Sequence, residues 1–360
     1  MSDSEAENED HEHDSTLPTR EECESRCQTF AEVTGTDTAL AMFYLQEVEW
    51  NIDSALNKFY EAQGGQEIIN SKRKMENDED DVGSHKKSRE EESDPEPHRI
   101  RLLSWNIDGL DEVAIQRRTK AVCEIINKEN PHVVFLQEVT AVTQSILESN
   151  CSAYQIIPGG DEQYYTCMLM KVGQVEVIHH QTLPFPNTSM MRNLLLVQCK
   201  IKDENFVLMT SHLESCKDHS KERVAQLQKA FRVMQKSSQS STVIFGGDLN
   251  LRDKEVANIG GPPPGVQDIW ETTGQRPEAA YTWDMSRNDN KIFPGKFKPK
   301  LRFDRLYIRG AEPPVIDPVY MELVGIERVA KCGKYPSDHW GLLTHYNIIS
   351  KVKNVVSKVK

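Results

Sequence analysis

Five apolar runs in the chain each stop at side chains able to hold a metal, a water or a phosphate. Asn106 and Asp108 follow "IRLLSW", Gln137 and Glu138 follow "HVVFL", and Ser211 and His212 follow "NFVLMT". Asp248 and Asn250 end "STVIFGGDLN", and Ser337, Asp338 and His339 lie in "YPSDHWGL". One Glu or His at a strand end usually means a solvated or capping residue, whereas five polar ends together point to one convergent site. Buried mid-strand positions cannot carry unpaired polar groups, so α/β folds collect ligands at strand ends.

The chemistry this set supports is metal-assisted phosphoryl hydrolysis. A hard divalent cation takes oxygen ligands and keeps several waters, so one or two carboxylates suffice, and Glu138 is the first metal ligand. Asp248 orients and deprotonates a water that Asn250 fixes by hydrogen bonding. His212 and His339 donate to phosphate oxygens as negative charge builds, with Asp338 placed to support imidazolium character. Metal, water-aligner and charge stabilisers are the roles that phosphodiester cleavage requires.

Strands must position these groups. The expected ones are 100–107, 132–139, 166–171, 194–201, 205–213, 241–250 and 303–310, with amphipathic helices near 113–128 and 220–236. Strands alternating with helices give an α/β domain from about residue 99 to 348. Trp105, inside the first strand, reads as core and not as a stacking residue.

The 360 residues carry a net charge of −13, but the charge is unevenly placed. Residues 1–98 hold 27 Asp and Glu against 9 Lys and Arg, a net of −18, leaving 29 acidic and 34 basic residues, a net of +5, in 99–360. A polyanionic substrate is therefore acceptable to the larger part. The chain starts acidic and polar, no apolar run approaches the roughly 18 residues of a membrane span, and the eight cysteines show no CxxC or zinc spacing. A soluble intracellular protein with free thiols is expected.

Residues 1–22 read as a disordered acidic tail, 66–98 as a disordered charged linker, and 349–360 as a basic C-terminal tail. Basic clusters at 72–74 and 86–89 suit a nuclear import receptor. Between tail and linker, 23–65 holds three short apolar-periodic stretches with breaks at 34–36 and 50–51 and a stop at Gly64 and Gly65. Leu40, Phe43, Tyr44, Ala55, Leu56 and Phe59 recur at helical spacing and are expected to fill a minimal core. This stretch, with "WNIDSALNKFY", resembles ubiquitin-associated domains, which implies a three-helix bundle and ubiquitin or a ubiquitylated protein as a partner.

"SWNIDGL" (104–110), "LQEV" (136–139), "TSHLES" (210–215), "GGDLNLRD" (246–253) and "YPSDHWGL" (335–342) resemble the exonuclease–endonuclease–phosphatase superfamily of magnesium-dependent phosphodiesterases. "PFPNTSMMRNLL" (184–195), "YTWD" (281–284) and "LRFDR" (301–305) are similar to its 5′-tyrosyl-DNA phosphodiesterases in particular. That resemblance implies a four-layer sandwich of two packed mixed β-sheets flanked by helices, preceded by the ubiquitin-associated-like bundle. It also implies Mg2+, with Mn2+ as substitute, and hydrolysis of the bond between a tyrosine of a trapped topoisomerase (topoisomerase II type) and a DNA 5′ phosphate. The product is a ligatable 5′-phosphate end. A monomer in the nucleus, with some in the cytoplasm and none on membranes, is expected.

Residue by residue, the resemblance puts Asn106, Asp108 and Glu138 on the metal and phosphate side and Asp248 on the catalytic carboxylate. His212, Ser215, Asn250, Arg252 and His339 line the phosphates, and Tyr164, Arg192, Trp283 and Phe303 shape the terminal nucleotide's surroundings. Ile107, Gly109, Leu110, Leu213, Glu214, Cys216, Lys217 and Leu251, within the same motifs, complete the expected DNA-facing set. In "GGDLNLRD" the glycines allow close backbone approach, Arg252 holds a neighbouring phosphate, and Asp253 is structural, orienting Arg252. Cys216 and Lys217 depart from the family's usual small residue and arginine, which trades a bidentate phosphate contact for a point charge. The loop 287–300 is longer than the family's, and its Lys291, Lys296, Lys298 and Lys300 either track DNA phosphates or form a solvated basic loop.

Two alternatives stand beside this reading. One is another phosphodiesterase of the superfamily, acting on abasic sites, inositol phosphates or sphingomyelin, against which Trp283, Arg192 and "SMMRN" argue. The other is a catalytically dead ubiquitin-binding signalling adaptor, against which the intact Glu138, Asp248, Asn250 and His339 speak.

Overall fold

Apolar residues at helical spacing build the smaller of two separate units, Met1–Glu92 and Ser93–Lys360. The computed structural model describes residues 20–34, 38–46, 48, 50–52, 54–56, 59, 98–292 and 298–349. The expectations for residues 1–19 and for the C-terminal tail beyond 349, for most of the linker with its basic clusters, for Gly64 and Gly65, and for Lys296 fall outside those residues, while residues 20–22, expected in the disordered tail, begin a helix. In the small unit, helices Arg20–Thr34 and Thr38–Gln46 are followed by helical residues at 52, 54–56 and 59. Cys27, Phe30, Ala41, Leu45, Ala55 and Phe59 are buried together. The rings of Phe30, Tyr44 and Phe59 contact one another at centroid distances of 5.7, 5.6 and 5.4 Å, each such pair adding about 0.5–1.5 kcal/mol beyond its buried area. Leu40, expected in this core, is 39% exposed. Ala41 and Leu45, four residues apart, mark the buried stripe, and Leu40 lies off it.

The large unit consists of two six-stranded sheets. The first runs in the order β13 (Ile316–Val324), β14 (Gly341–Ile348), β1 (Arg99–Asn106), β2 (Val133–Val139), β4 (Tyr165–Lys171), β3 (Tyr154–Pro158). The second runs β5 (Val175–Pro184), β6 (Asn193–Ile201), β7 (Glu204–Thr210), β8 (Thr242–Asp248), β12 (Asp304–Arg309), β9 (Val266–Asp268). Alternation along each strand gives each sheet two apolar faces. Leu102, Phe135 and Met168 meet Leu208, Ile244 and Leu306 between the sheets. Leu103, Val134 and Leu169 face outward under helices Ile115–Glu129 and Ala141–Asn150, contributing Val122, Ile126 and Leu147. Val207, Phe245 and Tyr307 face outward on the other side under helix Ser220–Lys236, contributing Leu227, Phe231 and Met234. Helices, sheet, sheet and helix make the four layers.

Trp105 is buried, and its indole nitrogen donates to the His339 carbonyl at 2.9 Å. All eight cysteines are thiols, and five of them are buried. Among the described residues no helix is long and apolar enough to cross a membrane.

Candidate active site

Strand direction explains why residues 106 to 339 meet. β1 and β2 are parallel, as are β7 and β8, so their C-terminal ends carry Asn106, Glu138, Thr210 and Asp248 to one edge. β12 is antiparallel to β8 and β14 to β1, so at that same edge they contribute their beginnings, with Asp304 opposite Asp248 and His339 just ahead of β14. The turns there are tight. Asp108, Glu138 and Asn250 have φ of 51°, 56° and 50°, a left-handed conformation costing a non-glycine residue about 1–2 kcal/mol. Such strain persists where the surroundings fix it, as at functional sites. Gly247 has φ 137°, and a Cβ there would lie 2.1 Å from the Ser211 carbonyl oxygen. A side chain at Gly109 would lie 2.0 Å from the Glu138 carbonyl oxygen.

Asp248 is the hub. Its Oδ2 accepts from Asn106 Nδ2 at 3.0 Å and lies 3.2 Å from His212 Nε2 and 3.8 Å from His339 Nε2. Its Oδ1 accepts from the Asn250 amide at 3.0 Å. Burial would raise the carboxyl's pKa, but the His339 charge and the contacts that His212 and Asn106 make to Oδ2 outweigh burial and hold it well below the ordinary range. Asn106 also donates to Glu138 Oε1 at 3.0 Å, joining the metal side to the water side.

His339 is raised well above its ordinary value. Burial works against this, and the charges of Asp304, Asp248 and Asp338 with the Asp304 hydrogen bond overcome it. The direct partner is Asp304, with Oδ2 2.8 Å from His339 Nδ1. Asp338 adds the supporting charge expected of it, and its own Oδ2 accepts from Trp283 Nε1 at 3.2 Å. Polar groups where apolar runs end do not include Asp304, because Asp304 opens its strand.

Other assignments change as well. Ile107, Leu213, Glu214 and Leu251 are buried and cannot present side chains to DNA. Glu214 accepts from Thr188, Ser189 and Gln226 inside the protein. Asp253 pairs with Arg305 at 2.6 Å and Arg302 at 3.7 Å and not with Arg252. Arg252 donates to the Asn250 carbonyl at 2.8 Å and lies over the Phe303 ring at 5.2 Å. Lys291 is paired with carboxylates of the chain itself. Its ammonium sits 2.9 Å from Asp108 and 2.8 Å from Asp111. Lys300 lies over Tyr281 at 4.6 Å, and Lys298 is exposed.

The rim keeps the remaining candidates together. Trp283 and Phe303 stand 5.6 Å apart, and Phe303 stacks toward His339 at 6.3 Å. Arg192 lies over Tyr164 at 5.1 Å and donates to Ser215 Oγ at 3.1 Å, in a recess also lined by His212. Asn250 Nδ2 is 3.4 Å from Ser215 Oγ. Leu110 is 43% exposed, Lys217 exposed and Cys216 half-buried beside this rim.

Arg118, also unseen in the sequence, fixes the approach loops. Fully buried, it donates to the carbonyls of Asp108, Asp111, Val113 and Pro336. That ties the loop after β1 to the segment before β14.

The acidic groups suit a hard cation. Burial and the carboxylates of Asp338 and Glu138 raise Asp108 well above its ordinary value, against the pull of Lys291 and Arg118. Its buried Oδ2 accepts no hydrogen bond among the described residues, with Arg118 Nη1 3.5 Å away. Clustered carboxylates with an uncommitted oxygen fit a divalent ion at Glu138 and Asp108. A second group, Asp248, Asp304 and His339, brings ligand atoms within 4.8 Å of one another. There the carboxylates of Asp304 and Asp248 keep His339 protonated, so an ion would have to displace a proton held between them, and a proton-holding pair is the better reading.

A four-layer sandwich with this site at one edge defines a class of phosphodiesterases. The chain belongs to the endonuclease/exonuclease/phosphatase family, which matches residues 103–339. Residues 24–66 match a UBA-like domain. Within the family it falls among the tyrosyl-DNA phosphodiesterase 2 proteins, being 42% identical to that of Gallus gallus over 335 residues, 90% of each chain. The crystal structure of D. rerio TDP2 complexed with a single-strand DNA product is 40% identical, covers 69% of this chain and 99% of that one, and has a TM-score of 0.67. TDP2 from C. elegans is 32% identical, covers 96% and 100%, and has a TM-score of 0.63.

Proposed function

We propose that this phosphodiesterase hydrolyses the bond between a tyrosine of a trapped topoisomerase of type II and a DNA 5′ phosphate, leaving a ligatable end. The observation that carries the reading is the convergence of Asn106, His212 and His339 on one oxygen of Asp248, beside Glu138 and an aromatic rim. Glu138 and Asp108 would hold Mg2+, or Mn2+ in its place, which when bound neutralises phosphate charge. Asp248, held low, stays ionised and aligns the attacking water more than it strips the proton early. A loose phosphoryl transition state demands little early deprotonation. His212 and His339 present N–H groups to phosphate oxygens. A phenol with pKa near 10 leaves as phenolate far more easily than an alcohol, easing the need for a general acid. Trp283 and Phe303 suit stacking on unpaired terminal bases.

The UBA-like unit would recruit the enzyme to ubiquitin or ubiquitylated protein, and the basic clusters at 72–74 and 86–89 would direct it to the nucleus. We assign it a monomer. The test is single-turnover cleavage, by the full chain with and without magnesium, of a 5′-phosphotyrosyl oligonucleotide beside an abasic duplex. Magnesium-dependent release of tyrosine with the abasic duplex intact is expected. Incision of the abasic duplex with the phosphotyrosyl end untouched would overturn the assignment.

A further inference from the structure

We infer that Arg192 locks His212 as a neutral imidazole carrying its proton on Nε2, which makes Arg192 a positioning residue for the ring beside Asp248. Arg192 Nη1 lies 3.1 Å from His212 Nδ1, and both side chains are buried. A guanidinium has five donors and no acceptor, so the contact is a hydrogen bond only if Nδ1 presents a lone pair. An imidazolium would set N–H against N–H and two cations together away from water. The single proton of the neutral ring is then on Nε2, which lies 3.2 Å from Asp248 Oδ2 and makes no hydrogen bond of good geometry among the described residues.

Arg192 is itself held in place. Its Nη2 donates to Ser215 Oγ at 3.1 Å, its backbone N–H donates to Thr188 Oγ1 at 2.8 Å, and its guanidinium covers the Tyr164 ring. The second histidine has the opposite arrangement. His339 Nδ1 faces the Asp304 carboxylate, an acceptor, and so carries a hydrogen. The two rings flanking Asp248 therefore differ in what they can do. His212 offers a fixed donor without charge, and His339 offers a proton on the far side of a carboxylate pair. Which second group orients a histidine decides its tautomer and hence its task.

The tautomer follows from geometry alone, while its catalytic meaning rests on the phosphodiesterase reading, and the test separates the two. Two-bond 1H–15N correlation spectra of the full chain labelled in histidine, without metal or substrate, should show His212 as the Nε2–H tautomer with an unprotonated Nδ1. The resonance is identified by its loss in His212→Asn. Arg192→Lys keeps a donor and should keep the single tautomer, whereas Arg192→Met should show averaging between tautomers and a fall in kcat exceeding any rise in KM. An imidazolium or Nδ1–H form in the unsubstituted protein overturns the inference, and that measurement needs no variant to fold. An unchanged His212 spectrum in Arg192→Met also overturns it, leaving Arg192 a substrate contact. Failure to cleave phosphotyrosyl DNA would touch the substrate assignment and leave the spectra as they are.

Discussion

Asp248 and its neighbours divide the work between staying charged and holding protons. Asp248→Asn keeps the shape and the Asn106 contact but removes the charge that aligns water between the two histidines. The rate should fall on the order of 10²–10⁴-fold with substrate affinity nearly unchanged, as read from single-turnover cleavage beside a binding titration. The acid limb of activity should not report Asp248, because it remains ionised below the ordinary carboxylate range. The alkaline limb should report His339. Its folded pKa is raised, so the charged form, and the stability it contributes, is fully present below about 6.5 and is lost as pH rises through the raised value. Asp304→Asn removes the nearest anion and should move the alkaline limb of kcat/KM to lower pH, which a pH–rate profile resolves. A limb that stays put would place the titrating group elsewhere.

Among the elements, what the sequence disclosed depended on burial. β1, β2, β4, β6, β7, β8 and β12 are buried through most of their length and are legible to within a few residues, as is helix Ser220–Lys236. β5, "VEVIHHQTLP", is not, since it is a mostly exposed edge strand whose alternation is broken by a bulge between Val177 and His179. β7 stops at Thr210, short of the expected end at 213, so His212 sits in the turn beyond it. The polar side chains at apolar ends were visible, but their pairing was not, because the direction in which β12 and β14 run decides which terminus faces the site. Arg118 was hidden for a related reason. A helical arginine reads as a solvated charge until the loops that wrap it are known. Arg118→Met should leave several buried carbonyls unpaired and cost about 2–5 kcal/mol, seen as a lower urea midpoint. It should also slow cleavage, since the loops bearing Asp108 and Asp338 lose their common anchor.

The whole molecule divides by charge. The chain forms two compact units, and the acidic N-terminal third carries none of the site groups. The unit Ser93–Lys360 alone should cleave a short phosphotyrosyl oligonucleotide within a few-fold of the full chain, and slightly faster at low salt, where residues 1–92, with a net charge of −16, otherwise repel DNA. It should lose ubiquitin binding. Turnover of both forms across a salt series, with a ubiquitin pull-down, checks this, and loss of activity at every salt concentration in a folded Ser93–Lys360 would place the N-terminal third inside the enzyme.

The pairing of β1 with β14 has a further effect, on the newborn chain. The ribosome makes Asn106 long before Gly341, and at about 5–20 residues per second the interval is roughly 10–50 s. Through that time β1 holds β2 on one side only, and the other edge, later covered by β14, stands open to other strands. The nascent enzyme is inert as well, since His339 arrives last of the groups around Asp248. A message broken before codon 339 therefore yields no partly active nuclease, only a sticky sheet for chaperones and proteases to clear.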